Sequence, residues 1–172
     1  MPQRPAPAPD IRIREAADSD GAVLTALIAS VFAEYEGVTF LASELVELKA
    51  PASHFRRKGG RLWVAEQEDR LIGSFGIVAT HARGVGELSK VYLARESRGM
   101  GVAKRLLDRA LAFGRDRDMT AITLWTDSRF LDGHRFYERH GFRRMPGLRA
   151  QHDASNSLEF NFRLDPLPGL AG

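Results

Sequence analysis

The sequence predicts a single α/β domain, built as one central mixed sheet flanked by helices, and three observations predict it. The chain has 172 residues, 44% of them hydrophobic and 27% charged, which is enough for one buried core and too short for two ordinary domains. Its apolar positions switch repeatedly between the period of a strand and the period of a helix. The segments are joined partly by tight hairpin links and partly by helical crossovers, so the sheet is mostly antiparallel with a parallel component.

The elements follow in order. Pro2, Pro5, Pro7 and Pro9 exclude helix and central strand, so residues 1–9 read as a disordered lead-in and the domain as 10–165, with a tail over 166–172. Ile11-Arg12-Ile13-Arg14 alternates as a half-buried strand does. Asp18-Ser19-Asp20 then offers capping side chains to a helix with Val23, Leu24, Leu27, Ile28, Val31 and Phe32 on one face. Phe40 to Lys49 reads as a second short helix ending before Pro51, and Arg56 to Gly60 as a basic turn. Arg61 to Glu66 and Leu71 to Ala79 form a hairpin across a polar link, and Glu87 to Leu93 is a further strand. A strongly amphipathic helix carries Val102, Ala103, Leu106, Leu107, Ala110, Leu111 and Phe113 on its inner stripe, and Gly114 falls near its end. Ala121 to Trp125 is a buried strand, Asp132 to His140 a short helix closed by Gly141, and Leu158 to Phe162 a closing strand.

Composition narrows the function. Lys and Arg exceed Asp and Glu by only three charges, and no separate helix pair suited to DNA stands apart, so a nucleic-acid partner is not expected. No apolar run is long enough for a membrane span and the opening residues lack a secretion signal, so a soluble, cytoplasmic protein without membrane association is expected. The absence of cysteine removes thiolate metal sites and cysteine nucleophiles, and five scattered histidines make no metal site.

The most informative stretch is Arg98-Gly99-Met100-Gly101-Val102-Ala103, where two glycines join a strand to a long helix. Glycine lets main-chain N–H groups turn toward a ligand, and the first helical turn adds unpaired N–H groups at the positive end of its dipole. This is an anion cradle, to which Arg98 and Lys104 can add charge. Lys104 stands where a dinucleotide fingerprint needs its third glycine, and no GxxxxGK[ST] exists, so neither common nucleotide motif fits.

The same residues resemble the R/Q-x-x-G-x-G/A signature of the GNAT superfamily of acyl-CoA-dependent N-acetyltransferases. Phe136-Tyr137-Glu138-Arg139-His140-Gly141-Phe142 is similar to that family's FYexxGF segment, and Glu87 to Leu93 resembles its fourth strand. The resemblance is close over Glu87 to Arg143 and looser from Ile11 to Phe162. It implies a sheet of six or seven strands with a splay between strands 4 and 5 and about four helices. It further implies acetyl-CoA as co-substrate, with Val91, Tyr92 and Leu93 along the pantetheine arm and the amides from Arg98 or Gly99 through Met100, Gly101, Val102, Ala103 and Lys104 around the pyrophosphate. Many members carry Asn where this chain has Phe130, so that contact to the arm is not expected here.

Amide formation from a thioester needs a neutral amine, a polarised carbonyl and a proton for the departing thiolate. The resemblance assigns the proton to Tyr137, whose phenol near pKa ~10 stays protonated at neutral pH. Glu87, at the start of its strand, is the expected base, with an ordered water chain or solvent as alternatives, and a main-chain N–H near Val91 or Tyr92 the expected carbonyl partner. No metal is expected.

The acceptor is expected to be a small-molecule or amino-acid amine; a peptide acceptor and a non-catalytic acyl-CoA-binding module are the alternatives. It should lie over the variable segment with Glu34, Glu36 and Glu44, against an apolar wall drawn from Tyr35, Phe40, Phe55 and Trp125. His134 is the histidine with most reason to face the site. Relatives that pair through their C-terminal strands make a homodimer through Ser157 to Phe162 the expected assembly.

Overall fold

The computed structural model describes residues 10–169; the lead-in expected over 1–9 lies outside the described residues. One seven-stranded sheet runs β1 (Ile11–Glu15), β2 (Arg61–Gln67), β3 (Arg70–Ala79), β4 (Val85–Leu93), β5 (Ala121–Asp127), β7 (Leu158–Leu164) and β6 (Arg143–Ala150) in spatial order. All neighbours are antiparallel except β4 and β5. Four α-helices flank it: α1 (Gly21–Phe32), α2 (Pro51–Arg57), α3 (Val102–Asp116) and α4 (Leu131–Arg139). No helix among the described residues is long and apolar enough to cross a membrane.

Alternation along β2 explains the two layers. Leu62 and Val64 pack with Leu24 and Ile28 of α1 and Phe55 of α2, whereas Trp63 and Ala65 pack with the face that carries Leu106, Leu107 and Ala110 of α3. On α1, Leu24, Leu27, Ile28 and Val31 are all buried, the spacing of a single helical face.

The structure departs from the sequence reading in three places. Where a helix is expected over Phe40 to Lys49 the chain forms two short 3-10 turns, and the α-helix starts at Pro51 and takes in Arg56 and Arg57, the expected turn following at Lys58 and Gly59. Proline suits this first helical position because its missing N–H has no intrahelical partner there. The Asp18 carboxylate caps this second helix, receiving the Ser53 N–H at 2.8 Å and the Ser53 hydroxyl at 2.5 Å. Strand β6 was hidden in the sequence by Pro146 and Gly147; it is an outer strand, the one setting where a strand tolerates proline. Finally, β7 is flanked by β5 and β6, so the outer strands of the sheet are β1 and β6 and Ser157–Phe162 is not an edge. Packing also continues past residue 165: Leu167 is 1% exposed and its N–H bonds to the Thr120 carbonyl.

The site is opened by an irregularity between β3 and β4. Ser74 faces Tyr92 and Gly76 faces Ser89, so Lys90 and Val91 together oppose the single residue Phe75. This is a β-bulge, with Lys90 at φ +52° and its carbonyl held by the Ser74 hydroxyl at 2.7 Å. The β4–β5 ladder ends just before it, at Leu88 opposite Leu124. Beside the bulge, Gly76 lets the Phe55 ring lie on the sheet, since an added methyl would meet that ring at 2.2 Å and the Ser89 carbonyl at 3.0 Å. Gly76→Ala should therefore lower unfolding free energy by about 1–3 kcal/mol in chemical denaturation. An unchanged midpoint would contradict this packing.

Candidate active site

Because β4 bends away after Leu88, its last residues face a gap where β5 would otherwise continue the sheet. A cleft of about 370 Å³ occupies this gap, lined by Val91, Tyr92 and Leu93 from β4, Arg98, Gly99 and Ala103 from the β4–α3 junction, and Phe136 and Tyr137 from α4. A second recess of about 140 Å³ adjoins it on the side of Trp125, Asp127 and Glu159. Val91, Tyr92, Thr126, Phe130 and Tyr137 line both.

At the junction Gly99 and Gly101 adopt φ of +77° and +76°, values that L side chains rarely reach, and nothing lies within 4 Å of where a Cβ would stand on either. The chain therefore turns sharply into α3 with open space above the turn. None of the main-chain N–H groups of Gly99, Met100, Gly101, Val102, Ala103 or Lys104 donates to an acceptor among the described residues; the first to do so is Arg105, to the Gly101 carbonyl. Six consecutive unclaimed donors at the positive end of a fifteen-residue helix have the chemistry that attracts an anion. The side chains separate: Val102 is fully buried in the core, whereas Met100 is exposed, and neither lines a recess.

The charged side chains expected at this cradle are engaged elsewhere. Arg98 makes a two-pronged ion pair with Glu34, at 2.6 and 2.9 Å, and a further bond to the Leu93 carbonyl at 3.2 Å. Lys104 pairs with Asp108 one turn along α3 and lines neither recess. Arg135 and Arg139 of α4 do line the larger cleft, a contribution that sequence spacing did not reveal.

Tyr137 is 5% exposed, and its hydroxyl has no hydrogen-bond partner among the described residues. Its ring is fixed against Phe136, Phe142 and Phe162, with centroids 5.7–5.8 Å away. Burial raises its pKa well above the ordinary phenol value, with neighbouring Tyr92 adding to the shift, and burial raises Tyr92 likewise. Both phenols are therefore protonated donors at neutral pH. Phe130 packs on Tyr35 and Phe32 at 4.7 and 5.9 Å and forms an apolar wall of both recesses.

The smaller recess is roofed by the segment after α1. The Thr39 N–H bonds to the Ser155 hydroxyl at 2.7 Å, and that hydroxyl bonds back to the Thr39 carbonyl at 3.2 Å. Arg129 reaches the Gly37 carbonyl at 2.8 Å, and Glu44 accepts the Ala154 N–H at 2.9 Å. Burial pushes the Asp127 carboxyl up, but hydrogen bonds from the Arg129 side chain and main-chain N–H outweigh it and hold the group below the usual carboxylate range. Of the expected acceptor residues, Glu44 and Trp125 line this recess; Glu34 is committed to Arg98, Tyr35 lines the larger cleft, and Phe55 lies in the core.

Glu87 lines neither recess. It stands opposite Thr123 and Val78, in the part of β4 that is still laddered on both sides. His134 also stays outside both, donating its Nε2–H to the Asp127 carbonyl at 2.9 Å and packing on Phe160 and Phe162. Burial lowers its pKa, which suits a neutral structural imidazole. Among the described residues no group of three or more His, Asp or Glu side chains is placed to hold a metal ion.

Residues 26–142 match the family model described as acetyltransferase (GNAT) family. Human N-acetyltransferase 8B is 29% identical over 96 residues, which span 54% of this chain and 42% of that protein. A GNAT-family acetyltransferase from Staphylococcus aureus Mu50 superposes with a TM-score of 0.79 at 20% identity, covering 91% of this chain and 99% of the other. The PaiA N-acetyltransferase from Thermoplasma acidophilum, solved in complex with coenzyme A, superposes with a TM-score of 0.70 at 19% identity, covering 91% and 99%.

The Arg98–Glu34 pair is the only ion pair that joins the junction to the segment after α1 among the described residues. A double-mutant cycle of Glu34→Gln and Arg98→Gln, read by denaturation, should give a coupling free energy of about 1 kcal/mol or more. Additive single-variant effects would contradict the pairing.

Proposed function

The chain belongs to the acetyltransferase (GNAT) family, and from that premise we propose that it transfers the acetyl group of acetyl-CoA to a primary amine of a small molecule, by direct attack in a ternary complex. The observation that carries this reading is the row of six unclaimed N–H groups, of which Gly99 and Ala103 line a cleft that also holds an unpartnered tyrosine hydroxyl. The open space over Gly99 and Gly101 fits a diphosphate, because nothing on those residues would stand between it and the amides. Val91, Tyr92 and Leu93 would flank the pantetheine arm along the β4 edge, and Arg139 would add positive charge at the cleft wall, where Arg135 is already paired with Asp132. When bound, acetyl-CoA supplies an acetyl group activated as a thioester.

The chain's own groups do the rest. The apolar wall of Val91, Phe130 and Phe136 disfavours an ammonium, so the amine beside Tyr137 loses its proton readily. As the nitrogen bonds to the acetyl carbon and the carbon–sulfur bond breaks, the Tyr137 hydroxyl donates a proton to the thiolate. The proton shed by the amine leaves through water; Glu87 touches neither recess, so any part it takes also runs through water. A main-chain N–H near Val91, in the bulge, is the proposed partner of the carbonyl oxygen.

A small acceptor is favoured over a peptide by the roof. Thr39–Ser155, Gly37–Arg129 and Glu44–Ala154 close the recess over the sheet, and an extended chain laid across it would have to break them. Tyr137→Phe should lower kcat about a hundredfold or more while the dissociation constant for acetyl-CoA stays near the wild-type value. Because burial raises the Tyr137 pKa, loss of its proton should set no alkaline limb below about pH 10. Undiminished kcat in the variant would overturn the assignment.

A further inference from the structure

The charges around the smaller recess carry a further inference, which rests on the acetyltransferase reading. Four carboxylates line that recess, those of Glu44, Asp127, Asp153 and Glu159, against one cation, Lys90. Lys90 is already paired with Glu47, both side chains being mostly buried, so its charge is cancelled in place. Asp127 and Glu159 stand directly opposite each other on β5 and β7. Like charges in that register destabilise a sheet, and here each needs its own arginine, Arg129 at 2.6 Å from Asp127 and Arg149 at 2.5 Å from Glu159. Each arginine cancels its carboxylate in place as Glu47 does Lys90, so the charge that the recess keeps is that of Glu44 and Asp153, neither of which has a cationic partner among the described residues.

These carboxylates are ill suited to the reacting nitrogen, because an ammonium beside an anion keeps its proton. The opposite end of the same space is apolar and carries the unpartnered Tyr137 hydroxyl, an independent sign that a polar ligand atom is received there. One end thus favours a neutral amine and the other a cation. We propose that the acceptor is a compact dication, a small diamine or an amine bearing a second basic group, whose non-reacting ammonium is held by Glu44 and Asp153. The balance is simple: the neutral amine takes the acetyl group and sheds one proton, the thiolate takes the Tyr137 proton, the shed proton returns Tyr137 to its phenol through water, and the second ammonium is unchanged.

The test uses three acceptors of similar length that differ at the far end: n-butylamine, putrescine and γ-aminobutyrate. In a thiol-release assay kcat/KM should be higher for putrescine than for n-butylamine by about tenfold or more, and lowest for γ-aminobutyrate. Glu44→Gln, whose amide oxygen can still accept the Ala154 N–H, should reduce the putrescine preference severalfold, and Asp153→Asn should do the same. Equal rates for putrescine and n-butylamine would overturn the inference and leave the acetyltransferase reading standing. A preference for γ-aminobutyrate would overturn it in favour of Lys90 reading an anion. If no amine is turned over, calorimetric titration of the same three with CoA present separates the two claims. Selective putrescine binding would then uphold the acceptor class and overturn the catalytic reading, and no selectivity would overturn both.

Discussion

Main-chain N–H groups in a folded protein almost always find a partner, and six in a row without one are a constraint that the rest of this structure serves. Two glycines in left-handed conformations make the turn that exposes them, and the buried stripe of α3, anchored by Val102, Leu106 and Leu107, holds their helix against the sheet. The β3–β4 bulge then matters because it ends the β4–β5 ladder and leaves a gap beside these donors. Without the gap the donors would face only solvent. With it Gly99 and Ala103 line a cleft whose far wall is α4 and whose end is Tyr137.

The charged residue that opens the glycine motif serves the other half of the site. Arg98 turns its guanidinium to Glu34, just past the end of α1, and so ties the junction to the segment that roofs the smaller recess. That segment is pinned at its other end by Ser155 and Ala154 in the β6–β7 turn. The roof over the proposed acceptor site is thus held on one side by the junction and on the other by a turn near the far edge of the sheet. A family motif and a chain-specific recess meet in one ion pair.

Local features were legible in the sequence, and features made by distant pairing were not. The stripe on α3, the strand alternation in β2 and the glycine turn at Gly99 and Gly101 all depend on neighbouring residues, so periodicity and spacing were enough to find them. Pro51 was read as a stop where it is a start, because proline occupies both positions and only the packing of Phe55 decides. The outer strand β6 carries Pro146 and Gly147 and no buried face, so it had no strand signal to read. Arg98 and Glu34 lie 64 positions apart and only the fold brings them together. Glu87 illustrates the same limit: the sequence placed it on the right strand, but how far the β4–β5 ladder extends decides what it can reach.

The account stands most directly on the unclaimed amides, and amide hydrogen exchange resolved to single residues measures them. Adding CoA should slow exchange at Gly99 through Lys104, whereas pantetheine, which lacks the diphosphate, should leave those positions unchanged. Exchange at Gly99 through Lys104 that stays fast while CoA is bound elsewhere on the protein would contradict the account.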